Sequence, residues 1–430
     1  MSRSYLLDYL KDSGLINQAK LDLLKYELDQ RIYYYGNHFK HSKENEIICS
    51  KTLKWNCRYL LQYILIYVYI IFYLLFKDNK RHNKKTIISN AYFSVNEELK
   101  KLGFDILRPI HNLIVGGGVQ KFKIIREFTR IDRKIRIGNF NYLLSDNFLK
   151  ELDLFENDLM EYYKSINVDA LVVSNDISFF EQLNIRIFKK LGKPSFIFLH
   201  GLPGRYNIYD DSQADYLIVW GEKIKQNYID AGFKSDKILV SGHPFYSQLP
   251  NQPLRNSFEN ILVVSKSLHG AQQRDEVRIA DRGGIIVYLN QIADALKKLG
   301  VQGARLRVHP SENINWYFKF IDKEFFVEDN EPLQESLQKT TLVVGPTSTI
   351  FLESIYYGVN YLVYEPTVGG VDLSGYPPVN PFDGSDSRVP VAKDEKELEK
   401  ILIEKKIINK SVFNDYISTP FDIKKIRDLI

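Results

Sequence analysis

Cysteine is scarce. Cys49 and Cys57 are the only two in 430 residues, too few for a disulfide scaffold and without partners at metal-ligand spacing, which fits a reducing compartment. Internal repeats at the periods of solenoids or propellers are absent, as is any long low-complexity stretch. Residues 1–20 alternate charged and apolar with no cleavable apolar core beside a small-residue site, so secretion is not indicated. The basic residues lack the aromatic pattern of a nucleic-acid module, and nucleic acid is not an expected partner. Gly116-Gly117-Gly118 lacks the remaining glycine of a dinucleotide fingerprint and is weak evidence for NAD. No Asp-x-Asp pair falls at a strand end, the DSD at Asp386 lying in a Pro/Gly-rich loop, so no metal is expected.

The chain does have bulk, apolar content and local charge. Its length calls for two or three domains, and 44% hydrophobic with 26% charged residues is the balance of a globular protein. Twenty-eight Tyr and 26 Phe suit core packing, an interface or sugar stacking, and composition does not choose among them. The net charge of +5 is concentrated near the N-terminus, in Lys77, Lys80, Arg81, Lys84 and Lys85. They follow an uncharged run at 59–76, YLLQYILIYVYIIFYLLF, whose five tyrosines suit a membrane interface better than a hydrocarbon centre. Contact of 59–85 with an anionic membrane surface, at the inner face of the cytoplasmic membrane, is one expectation; a buried helix is the other, with spanning behind both.

Hydrophobic periodicity divides the chain into four parts. Residues 1–85 read as helical, with Leu6, Leu10, Leu21, Leu24 and Leu28 at helical spacing. From Thr86 short β-rich runs alternate with helical stretches: TIIS, DILRPI, NLIVGG, ALVVS, SFIFLHG, YLIVWG and KILVSG. Pro250-Asn251-Gln252-Pro253 interrupts this series, and a second begins at NILVVS, residues 260–265. The expectation is a Rossmann-like domain over 86–250, a second over 251–405 and a charged helical tail over 406–430. Such domains are doubly wound parallel sheets that bind ligands where loops leave the carboxyl ends of the strands.

Two elements carry the strongest chemical signal. In RVHPSEN, a strand runs directly into His309-Pro310. There the imidazole can donate to a phosphate oxygen and stabilise the charge of a departing nucleotide; a histidine capping a turn is the alternative. In LVVGPTSTIFLESIYYGVNYLVYEP, a strand ends at Gly345-Pro346, and Thr347, Ser348 and Thr349 open a helix whose free amides favour an anion. Glu353, one turn on, suits ribose hydroxyls or a base edge, or is an ordinary helix-face carboxylate. After the first strand of this half, Ser265, Lys266, Ser267 and His269 either touch donor phosphate or cap a helix. On the N-terminal side, Asp176 and then Glu181 are candidates for the base that accepts a proton from an attacking hydroxyl. Asp210 and Asp211 follow His200-Gly201 in a loop, and each of these carboxylates is also a reasonable cap or solvated charge.

These residues resemble the GT-B glycosyltransferases of bacterial capsule and lipopolysaccharide synthesis. Sialyltransferases, polysialyltransferases and Kdo transferases carry an HP motif and a Ser/Thr motif of this kind. The likeness spans about residues 165–366 and includes FLHGLPGRY and ADYLIVWGEKIKQNYIDAGFKSDKILVSGHP, although Leu199 stands where those enzymes usually have Gln. The resemblance implies two Rossmann-like domains facing across a cleft. It implies inverting, metal-independent transfer, with no cofactor, from a CMP-activated acidic sugar to a glycan or lipid-linked glycan. His309, Ser348 and Thr349 would be the phosphate contacts, with Pro310, Gly345, Thr347, Glu353, Ser265 and Ser267 beside the donor. His200, Gly201 and Arg205 would lie on the acceptor side. Close alternatives are a UDP-sugar transferase, a CDP-glycerol glycerophosphotransferase, an enzyme like UDP-N-acetylglucosamine 2-epimerase, and a non-catalytic membrane-surface scaffold.

Overall fold

A computed structural model describes residues 17–29, 84–109, 119–138, 140–206, 211–246, 252–266, 282–310, 312 and 314–430, with 61, 64, 65 and 68 besides. The NLIVGG run, Gly116–Gly118, both cysteines, Asp210, Ser267, His269 and most of the apolar run at 59–76 lie outside the described residues.

The first sheet contains β1 (Thr86–Ser89), β2 (Asp105–Leu107), β3 (Val168–Val173), β4 (Ser195–Phe198), β5 (Tyr216–Val219) and β6 (Ile238–Val240), in the order β2-β1-β3-β4-β5-β6. The second contains β7 (Ile261–Val264), β8 (Ala304–Arg307), β9 (Phe326–Glu328), β10 (Leu342–Gly345), β11 (Asn360–Tyr364) and β14 (Val391–Ala392), in the order β14-β11-β10-β7-β8-β9. All pairs in both sheets are parallel. A small antiparallel pair, β12 (Thr367–Val368) and β13 (Val371–Asp372), lies in the loop after β11. This is the two-domain GT-B architecture.

Central strands such as β5, β7 and β10 are continuous apolar runs because helices cover both faces of each sheet. In β7, Leu262 and Val264 face one core, while Ile261 and Val263 face the other; in β10 Val343 is opposed to Leu342 and Val344 in the same way. The helix Arg282–Lys298 packs in the second of these cores through Ile285, Tyr288, Leu289 and Ile292. The first is continuous with the core of the N-terminal sheet.

Strand order fixes where a ligand can enter. In the first sheet the chain runs from β1 outward to β2, then returns to β3 on the other side. In the second it runs from β7 outward through β8 and β9, then returns to β10 on the other side. The crevices beyond the carboxyl ends of β1/β3 and of β7/β10 are the two topological switch points.

The helix Gln18–Asp29 and the segment beyond residue 405 both join the N-terminal core. The helix Gln18–Asp29 buries Leu21, Leu23, Leu24 and Leu28, lies against the helix Phe179–Lys190, and pairs Lys20 with Asp153 at 2.6 Å. The segment expected as a charged tail carries Ile408, Val412, Phe413, Tyr416, Ile417, Ile423 and Ile426 into the same core. Its helix Val412–Tyr416 packs on both Glu222–Asp230 of the first domain and Ile350–Tyr356 of the second. Ser418 N donates to Trp220 O at 2.8 Å, and Asp422 N to Ser241 O at 2.7 Å. Gly221 permits this approach, because a Cβ there would run into the backbone of Tyr416.

Of the run at 59–76, Leu61, Ile64, Leu65 and Val68 are helical and exposed. Among the described residues no helix is long and apolar enough to cross a membrane.

Candidate active site

The switch point of the second sheet gathers the C-terminal candidates. β7 lies between β8 and β10, so the segments leaving these three strands are neighbours. Ser265 extends the ladder, its N–H donating to Arg307 O at 3.0 Å. Its hydroxyl accepts from His309 N at 3.0 Å, fixing the start of the loop that presents the exposed His309 and Pro310. Lys266 Nζ donates to Thr347 O at 3.1 Å and lies 3.7 Å from the buried Glu365 carboxylate, which accepts from Thr347 N. The turn after β10 is thus braced from both neighbouring strands. Gly345 has no room for a side chain, since a Cβ would strike Val264 and the Tyr361 ring.

The three hydroxyls of that turn differ in state. Thr347 Oγ1 is buried without a hydrogen-bond partner among the described residues. Ser348 Oγ accepts from Ile350 N at 3.3 Å. Thr349 Oγ1 accepts from Leu202 N of the other domain at 3.0 Å and keeps its own hydrogen to donate. One turn on, burial pushes the Glu353 carboxyl up to about 7, against the pull of Arg307. Arg307 is itself anchored by the buried Asp329, Nε to Oδ2 at 2.7 Å. Burial, and then the nearby Glu353 charge, raise the pKa of Tyr92 and Tyr246 of the N-terminal domain.

The facing wall is built at the other switch point. Asn90, after β1, accepts from Ser174 N and donates to Glu181 Oε1, both at 3.0 Å. His200 Nδ1 lies 2.8 Å from Ser174 O; a carbonyl only accepts, so Nδ1 carries the hydrogen. Tyr92 donates its hydroxyl to His200 O. His243, after β6, packs against Trp220 at 4.7 Å and Tyr246 at 5.0 Å between ring centroids, and burial pushes its pKa down to about 4.

Asp176 and Glu181 are buried, at 1% and 8% exposure. Asp176 Oδ2 accepts from Gln213 N at 2.8 Å, so this carboxylate holds the loop entering β5, whereas Glu181 belongs to the Asn90 cluster. Asp211 accepts from the Tyr228 hydroxyl at 2.6 Å, and burial raises its pKa.

The loop after β4 closes onto the second domain. A Cβ on Gly201 would lie 3.3 Å from Thr349 Oγ1, and one on Gly204 would lie 2.6 Å from the Tyr376 hydroxyl. Arg205 sits 5.3 Å from the centre of the Tyr376 ring, with Lys266 at 6.0 Å from the same centre. One cation from each domain therefore converges on this ring.

The structure brings together Ser265, Lys266, His309, Pro310, Gly345, Thr347, Ser348, Thr349 and Glu353 on one side, and His200, Gly201, Arg205 and Glu181 on the other. Asn90, Tyr92, His243, Tyr246, Glu365 and Tyr376 were not singled out from sequence. One signal was available: His243-Pro244 follows β6 just as His309-Pro310 follows β8.

The chain matches no protein-family model, and no curated protein matches it in sequence. Its fold is similar to that of UDP-GlcNAc 2-epimerase from Methanocaldococcus jannaschii in complex with UDP-GlcNAc and UDP, at 13% identity over 80% of this chain and 99% of that one, TM-score 0.46. The Neisseria meningitidis UDP-GlcNAc 2-epimerase bound to UDP-GlcNAc gives 14% identity, 80% and 98% coverage, and a TM-score of 0.43. The wall teichoic acid polymerase TagF gives 11% identity, 87% and 94% coverage, and 0.39.

Proposed function

We propose that this chain is an inverting glycosyltransferase, with a nucleotide-sugar donor held by the C-terminal domain and an acceptor hydroxyl presented by the N-terminal one. The observation that carries this reading is the pairing, at one switch point, of the Ser265-anchored His309 loop with the braced turn at Thr347–Thr349. In that turn a buried threonine hydroxyl has no partner among the described residues. These are donors preorganised for an anion: the imidazole, the Thr347 and Thr349 hydroxyls and the Lys266 ammonium surround the place where negative charge develops as the nucleotide leaves. Glu353 accepts from the nucleoside hydroxyls, and Arg205 grips the phosphate from the opposite domain. The attacking hydroxyl gives its proton to Glu181, oriented by Asn90 beside His200, with Asp176 holding the loop behind it. The electrostatic work is done by side chains, so transfer is metal-independent and survives chelation of divalent cations.

A CMP-activated acidic sugar is the donor to which the sequence resemblance points, and the acceptor is a glycan of the cell surface. Leu61, Ile64, Leu65 and Val68 recur at i, i+3, i+4 and i+7 and are exposed, the spacing of one apolar helical face. With Lys84 and Lys85 behind it, this face suits contact with an anionic membrane.

Thermal shift with CMP, UDP, CDP and their sugars is the test. A nucleotide at a hundred times its Kd stabilises the fold by about 2.7 kcal/mol. Stabilisation by CMP supports the full reading, while stabilisation by UDP alone reassigns the donor. No shift with any nucleotide refutes the site. Conversion of UDP-N-acetylglucosamine to its epimer without an acceptor would make the chain an epimerase.

A further inference from the structure

We infer that the N-terminal domain holds a second small-molecule site, for an anionic sugar such as a phosphorylated or carboxylated monosaccharide, at the end of its sheet opposite the cleft. The residues of the cleft follow the carboxyl ends of the strands. A separate cavity of about 320 Å³ lies at the amino ends of β4, β5 and β6. Asp215 and Leu217 belong to the start of β5, Phe233 to Lys237 lead into β6, and Lys189 closes the helix that feeds β4. A ligand here approaches from the other side of the domain.

The lining has a chemical bias. Lys189, Lys234 and Lys237 all border the cavity, and among the described residues none of the three makes an ion pair, although most exposed lysines of this domain do. The cavity's two carboxylates are engaged elsewhere. Asp215 Oδ2 accepts from Ser195 N at 2.9 Å and from Ser195 Oγ at 2.8 Å, and Asp211 Oδ2 accepts from the Tyr228 hydroxyl at 2.6 Å. Only Lys237 has a side-chain partner of another kind, the Tyr216 ring at 4.7 Å.

Three lysines border one concavity, and an anion bound there offsets the repulsion among their like charges. The rest of the lining describes what carries the charge. Ser212 and Gln213 are exposed and polar, matched to hydroxyl groups, while Phe233 offers an apolar surface for the face of a sugar ring. The volume sits at the small end of ligand pockets, the size of a monosaccharide with one charged substituent rather than of a nucleotide sugar.

The test is isothermal titration calorimetry of the full chain with glucose 6-phosphate, glucuronate and inorganic phosphate. The same titrations are run on Lys189→Ala/Lys234→Ala/Lys237→Ala and on Lys234→Glu. The expected result is saturable binding of at least one of the two anionic sugars at millimolar concentration, weakened roughly tenfold or more by either variant. Circular dichroism and Tm serve as the fold controls, so the outcome is independent of any nucleotide reading. No heat with either sugar, or affinity unchanged in both variants, overturns the site. Inorganic phosphate binding as tightly as the sugar phosphate overturns the assignment of a sugar.

Discussion

Glu353→Gln isolates the electrostatics of the cleft. Burial raises this carboxyl from 4.5 to about 7, so the folded protein retains a proton that the unfolded chain releases. The sign follows from linkage: the stability associated with the neutral carboxyl is complete below pH 4.5 and is lost as pH rises through about 7. At about 1.4 kcal/mol per pH unit, the whole effect is on the order of 3 kcal/mol. Glutamine keeps the shape and cannot ionise, so the variant escapes that loss. Thermal denaturation of the two proteins at pH 4.5, 6 and 8 should show a Tm difference that grows with pH in favour of the variant. It should reach several degrees at pH 8, at roughly 2–4 °C per kcal/mol for a domain of this size. A difference that stays constant across that range would refute the raised pKa. If the carboxylate also accepts from a nucleoside, nucleotide affinity of the wild type should rise with pH through the same window, and the variant should show no such dependence.

Other perturbations read other parts of the site. His309→Ala should abolish transfer with Tm within about 1 °C of wild type, because the residue is exposed and its backbone N–H keeps its bond to Ser265; normal turnover would remove the histidine from the mechanism. Thr347→Val replaces a buried, unpartnered hydroxyl. It should stabilise the ligand-free protein by about 1 kcal/mol while weakening nucleotide binding, as measured by melting with and without ligand. Gly221→Ala puts a methyl against the Tyr416 backbone and 2.8 Å from Asp415 O. It should cost about 1–3 kcal/mol and expose residues beyond 405 to limited proteolysis.

Much of the architecture was legible because parallel strands covered on both faces are uninterrupted apolar runs. ILVV, YLIV and LVVG needed no distant information to be recognised as strands. His309 and the Gly345–Thr349 turn were legible for a related reason, since loops at the carboxyl ends of such strands are where ligands bind. Glu365 and Tyr376 gave no local signal. Glu365 matters because β11 places it beneath Thr347, and Tyr376 because a loop carries it to Gly204 and Arg205. The return of the C-terminal segment was hidden in the same way. Its apolar residues are spaced among many charges, and their burial depends on a surface formed nearly 200 residues earlier in the chain.

That return bears on how the protein is made. The strands of the first sheet leave the ribosome by residue 240, yet Val412, Phe413, Tyr416 and Ile417, which cover part of their helical layer, follow only after the whole second domain. At a synthesis rate of roughly 5–20 residues per second, the gap lasts on the order of ten to thirty seconds. During that interval the nascent chain presents an uncapped apolar face. Chaperone engagement in the cell should therefore persist until the last helices emerge, and chains stalled between the two domains should aggregate although their first sheet is complete.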